Sequence, residues 1–140
     1  MTPETVVREW FEQVWNNRRE DAIDRLLAPE ALIHDLPTAD GAPMRGVAAF
    51  KPFYRKFATA FPNLRIEIVR TVVNGDLVAG YCRVTVTHAG DGLGIAATGR
   101  TATISGMVMA RVENGQIAEG WNCFDFLSLY QQLGLLPALS

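Results

Sequence analysis

Near the C-terminus, Glu119-Gly120-Trp121-Asn122-Cys123-Phe124-Asp125-Phe126-Leu127 joins an apolar, strand-like run to an acid, a thiol and an indole. Strand side chains alternate between two faces, so Trp121, Cys123 and Asp125 share one face and Asn122 and Phe124 the other. An acid in such company is paired, protonated or working. Burial raises the pKa of a carboxylic acid and suits it to take a proton from a carbon flanked by carbonyls. Asp125 is therefore the expected catalytic carboxylate, with Trp121 and Cys123 beside the substrate. Its structural alternative is to cap a short helix over Phe126 to Leu133. Glu119 has the same parity but lies nearer the hairpin, outside the expected site. Asn122 joins the site only if the strand is bulged.

Two histidines supply further candidates. His88 continues the inward set Cys82, Val84 and Val86. It is expected either to hydrogen-bond a substrate carbonyl and return a proton, or to be tied to the backbone at a strand end. His34, at the end of the extended segment Ala31–His34, is a second donor candidate or a loop anchor. Trp15, Tyr54 and Phe50, with Trp121, offer flat apolar walls for an aromatic substrate, and read equally as core.

These side chains need elements to position them. Thr2, Pro3 and Glu4 supply a hydroxyl cap, a first-turn proline and an acid at the positive dipole end, so a helix starts there. Val6, Val7, Trp10, Phe11, Val14 and Trp15 give it one broad apolar face. A second short helix spans Glu20 to Leu27 and stops before Pro29. Residues 38–43 are turn formers that make a surface loop or a lid. From Gly46 a third helix carries Val47, Phe50, Phe53, Tyr54, Phe57 and Phe61, with Pro52 kinking or delaying its first turn.

Beyond Phe61 the period changes to two. Leu64, Ile66, Ile68 and Val72 alternate with polar residues, Asn74-Gly75-Asp76 turns the chain, and a return strand runs to His88. Another strand covers Thr101 to Val112, and Asn114-Gly115 turns it into the strand from Gln116 to Phe126. In a simple two-residue hairpin register Val112 faces Ile117, Val108 faces Trp121, Gly106 faces Cys123 and Ile104 faces Asp125. Met107, Met109 and Asn122 then lie on the reverse face, where a second subunit would cover the methionines.

With 140 residues the chain fits a single domain over 1–140. A net charge of −2 without a basic cluster excludes a nucleic-acid partner of the phosphate-binding kind. The N-terminus has neither the basic region nor the apolar run of a signal peptide, and no stretch reaches membrane-span length, which places the chain in the cytoplasm with no membrane partner. Cys82 and Cys123 lack metal-type spacing and read as buried, reduced thiols. No metal site is expected.

Helices first and long antiparallel strands after give an α+β architecture, with helices on one face of a curved sheet that leaves a cavity. The block from Gly46 through Phe53-Tyr54 and Ala60-Phe61-Pro62 begins a set of familiar pieces. Gly75-Asp76, Thr87-His88-Ala89-Gly90, Thr98-Gly99-Arg100, Arg111–Ile117, Trp121, Asp125 and Gln131-Gln132-Leu133-Gly134 complete it. Together they resemble the SnoaL-like polyketide cyclase family of the NTF2-like fold. That resemblance implies an α+β cone enclosing a hydrophobic pocket, often a homodimer or homotetramer. It also implies intramolecular aldol closure of a polyketide without metal or cofactor, with Asp125 matching the family's acid on the last strand. Two other readings use the same cone: an enolising isomerase of the ketosteroid type, and a non-catalytic carrier of a small hydrophobic ligand. Epoxide hydrolysis would want an inward acid–arginine–acid set, which is not evident.

Overall fold

The computed structural model describes residues 1–137. Helix α1 (Pro3–Glu9) starts as expected, with the Thr2 hydroxyl accepting the Thr5 N–H at 3.2 Å. It passes directly into a π-helical segment, Trp10–Asn16, in which the Asn17 N–H reaches back five residues to the Glu12 carbonyl at 2.8 Å. The wider turn brings Trp10 and Trp15, five apart in sequence, onto the same partner: their rings lie 5.2 Å and 6.2 Å from that of Phe50.

Helix α2 (Asp21–Leu26) gives way to strand β1 (Leu27–His34), which is longer than the four residues expected. A two-residue strand β2 (Met44–Arg45) precedes helix α3 (Val47–Ala60), which runs through Pro52 instead of starting after it. Gly46 caps this helix with φ of 86°, and a Cβ there would lie 2.7 Å from the Pro29 carbonyl oxygen, so only glycine fits. Tyr54 is buried and donates its hydroxyl to the Val14 carbonyl at 3.0 Å, locking α3 to the π-helical segment.

Strands β3 (Arg65–Asn74), β4 (Leu77–Thr87), β5 (Thr101–Glu113) and β6 (Gln116–Phe124) follow, then helix α4 (Phe126–Gln132). Asn114 and Gly115 both have positive φ, 53° and 75°, as a two-residue hairpin turn requires. The sheet order is β2-β1-β6-β5-β4-β3. Among the described residues β1 and β6 alone pair in parallel; the other pairs are antiparallel. Along β5 every second side chain is buried, which puts one face of the sheet against the helices and leaves the other outside. The architecture is the mixed α+β form expected, with the sheet curved around an apolar interior.

Between β5 and β6 the register shifts. Val112 pairs with Ile117, but Arg111 pairs with Glu119, so Ala118 is an extra residue. From there Val108 faces Asn122 and Gly106 faces Phe124, while Met109 faces Trp121 and Met107 faces Cys123. One inserted residue thus exchanges the two faces of β6 over its whole second half.

A hollow with one amide

The interior of the sheet and the helices bound a cavity of about 120 Å³. Helical aromatics make one side, Trp10, Phe11 and Trp15 from the π-helical segment and Phe50, Phe53 and Phe57 from α3. Valines and isoleucines of β3, β4 and β5 make the opposite wall, and Phe124, Phe126 and Leu129 close the C-terminal side. Of the lining side chains Trp15, Leu36, Phe53, Phe124 and Phe126 keep partial exposure. Among the described residues Asn122 is the single amide that lines the cavity, and the single lining side chain with a hydrogen-bond acceptor; the indoles of Trp10 and Trp15 carry one donor each.

Asn122 arrives there by the bulge. Its Nδ2 donates to the His34 carbonyl oxygen at 3.1 Å across the parallel β1–β6 pair. That bond uses one amide hydrogen; the other, and Oδ1, have no protein partner among the described residues. Phe124, two residues on, turns inward over Gly106, where any Cβ would overlap its ring. A glycine at 106 is therefore the condition for an aromatic wall at 124.

The expectation that Asp125 looks into the hollow is corrected. The carboxylate is exposed and Oδ1 accepts the Ser128 N–H at 3.0 Å, capping α4. The bulge reversed the parity from which its inward position was read. Trp121 and Cys123 move with it to the outer face, and Cys123 is exposed, not buried. Cys82 is buried as expected, and desolvation pushes its thiol up to about 11.

His34 also lies on the outer face. Its ring stacks on Trp121 at 5.4 Å, and Nε2 lies 2.7 Å from Glu119 Oε2. Arg111 approaches the other Glu119 oxygen at 3.6 Å. The hydrogen bond from His34, and then the charge of Arg111, hold the Glu119 carboxyl below its ordinary value of 4.5. A depressed carboxyl stabilises the fold above its unfolded pKa and loses that contribution as pH falls through the folded value. The melting temperatures of the wild type and Glu119→Ala should therefore differ at neutral pH and converge below pH 4.5. A gap unchanged down to about pH 3 would remove the pair as its source.

His88 is interior and fully buried, but it is not part of the cavity wall. The Thr98 N–H donates to Nδ1 at 3.2 Å, which leaves a ring hydrogen on Nε2 without a partner among the described residues. Of the expected site residues, Trp15 and Phe50 line the hollow, Tyr54 braces it from behind, and Asp125, Trp121, Cys123 and His34 do not reach it.

The model of the SnoaL-like polyketide cyclase family matches residues 5–133. Among curated proteins none matches the sequence. Among solved structures, IdmH from Streptomyces antibioticus, provisionally described as a polyketide cyclase, is 26% identical. The match covers 96% of this chain and 99% of that one with a TM-score of 0.82. TsrD from Streptomyces laurentii is 26% identical over 95% of both chains, with a TM-score of 0.80. AclR from Streptomyces galilaeus, provisionally a hydroxylase, has a TM-score of 0.83 over 99% of this chain and 84% of that one. At 22% identity the likeness of AclR concerns the fold alone. No helix among the described residues is long and apolar enough to cross a membrane.

Proposed function

Since the chain belongs to the SnoaL-like polyketide cyclase family, we propose that it closes a ring in a hydrophobic polyketide-type substrate, with Asn122 as the polar group that meets the reacting atoms. The observation that carries this reading is the hollow itself, a largely apolar enclosure whose one lining amide has, among the described residues, an unpaired donor and an unpaired acceptor. A folded β-dicarbonyl chain complements it. Aromatic walls hold the chain compact, and the entropy of bringing two carbons together is met on binding.

In the aldol closure the enol carbon attacks a carbonyl carbon of the same chain. The new C–C bond forms as the acceptor oxygen takes up charge and then a proton, and the enol O–H gives up its proton on reverting to a ketone. The free Asn122 N–H stabilises the acceptor oxygen and Oδ1 accepts a hydrogen bond from the enol O–H; the proton that the enol loses is the one the new alkoxide takes up, so the step is neutral overall. A 1,3-dicarbonyl substrate, already enolic, suits a site whose lining lacks a carboxylate. That same lack supports the carrier as the second reading.

The two separate in an assay with an aryl tetraketide thioester as substrate surrogate, the shortest such chain in which C2 can reach the C7 ketone and close a six-membered ring. Ring formation followed by loss of water supports the cyclase, whereas saturable binding without product leaves the carrier. At about 120 Å³ the hollow is near the size of an apolar cavity of about 150 Å³ that takes up benzene. Pockets for larger ligands measure about 300–1,000 Å³. Multi-ring substrates thus require Leu36, Phe53 or Phe126 to move.

We also propose that a second copy of the chain covers the outer sheet face. Met107 and Met109 stay 50% and 38% exposed there, beside Trp121 and Cys123. Sedimentation velocity should give a dimer that Met107→Glu splits; a monomer in the wild type removes the idea.

A further inference from the structure

Asn122 works as described only if its amide is held at one rotation, and the groups that hold it lie on the other side of the sheet. We infer that His34 and Glu119 are positioning residues that act on Asn122 through the end of strand β1. The inference rests on the reading of Asn122 as the substrate-facing amide.

The geometry links the two faces in a short chain of contacts. The β1–β6 ladder ends at the pair His34↔Trp121, and Asp35 then leaves with φ of 66°, so His34 is the last residue of β1. Its carbonyl oxygen takes the Asn122 Nδ2 hydrogen at 3.1 Å. Its ring, on the outer face, is fixed twice. It stacks on Trp121 at 13° between planes, and Nε2 lies 2.7 Å from Glu119 Oε2. Glu119 is itself steadied by Arg111 at 3.6 Å. Strand ends fray unless tied. Here the side chain of His34 ties its own carbonyl, and that carbonyl decides which Asn122 hydrogen is occupied and where the free donor and acceptor point. Placement to within a fraction of an ångström is what a hydrogen-bonding group of this kind needs.

Positioning separates from ordinary stability in the side-chain amide signals of Asn122 in a ¹H–¹⁵N spectrum, recorded with and without acetophenone, an aryl ketone small enough for the hollow. Wild type should show two well-separated Nδ2 proton signals that move on adding the ketone. Glu119→Ala should bring the two signals together and reduce the ketone-induced movement several-fold, with acetophenone affinity within about threefold, since the apolar walls are untouched. Glu119→Gln retains an oxygen that accepts the imidazole N–H and should restore most of the separation. His34→Phe keeps the stack on Trp121 but cannot bond Glu119, and should resemble Glu119→Ala.

Signals in Glu119→Ala and His34→Phe that match a folded wild type, free and bound, would overturn the inference while leaving Asn122 as the substrate-facing group. A wild-type Asn122 signal that ignores acetophenone, with the ketone bound in the hollow by relaxation contacts to Trp15, would instead overturn the reading of Asn122 itself.

Discussion

Replacing Asn122 with leucine should lower turnover of an aryl tetraketide thioester by about 10²–10³, the loss typical of removing one preorganised donor at a developing oxyanion. Leucine is close to asparagine in size and apolar, so the hollow keeps its shape and the protein its fold. Acetophenone affinity should change little, because most of the binding comes from the aromatic walls. The complementary variant is Asp125→Ala. Its carboxylate caps α4 through the Ser128 N–H at 3.0 Å, and loss of such a cap costs about 0.5–2 kcal/mol of stability. Turnover measured on folded Asp125→Ala should stay within a few-fold of wild type. The opposite pattern, with leucine at 122 tolerated and alanine at 125 inactive, would return the chemistry to the carboxylate.

Gly106→Val should be the most damaging single change in the sheet. On β5, Gly106 faces Phe124, and any Cβ there overlaps the ring. A branched side chain leaves Phe124 two options: to shift off its rotamer inside the hollow, or to swing out of it. Overpacking of this kind costs about 1–3 kcal/mol. The structural loss is accompanied by a functional one, since Phe124 is part of the cavity wall. Thermal unfolding should show the drop in melting temperature, and acetophenone binding should weaken in parallel. Adding Phe124→Ala to Gly106→Val should recover stability beyond the sum of the two single effects, as expected for residues in direct contact. Strict additivity would mean that the ring and the glycine are not coupled.

The sequence carried the elements well where side-chain periodicity writes them. The stripe Val6 to Trp15, the aromatic face of α3 and the alternation along β4 and β5 were each legible, as were the turns at Gly75-Asp76 and Asn114-Gly115. The π-helical segment was not, because the same residues satisfy α-helical spacing and differ only in which backbone carbonyl each N–H reaches. The parallel pairing of β1 with β6 was hidden for a similar reason: a short apolar strand does not state its partner.

The site failed at one residue, Ala118. A bulge is a backbone event, and an alanine followed by glutamate gives no sign of it. Two consequences were nevertheless visible in the strand. Simple alternation placed Glu119 and Asp125 together on the inward face, an expensive pair to bury, whereas the shifted register puts both outside. It also set Gly106 opposite Cys123, although a strand glycine is better matched by a large aromatic across the ladder, as Phe124 is. Both costs favour the register that turns Asn122 to the interior. His88 was read on the correct face, but its tie to the Thr98 N–H depends on how residues 89–100 fold back, which alternation cannot show.

The most direct measurement is a crystal structure of the protein with acetophenone. Its ring should lie among Trp15, Phe50 and Phe124, with the ketone oxygen within hydrogen-bond distance of Asn122 Nδ2. A ketone oxygen beside Asp125, or a ring seated on Trp121 at the outer face with the hollow closed, would contradict the assignment of Asn122 and of the cavity it serves.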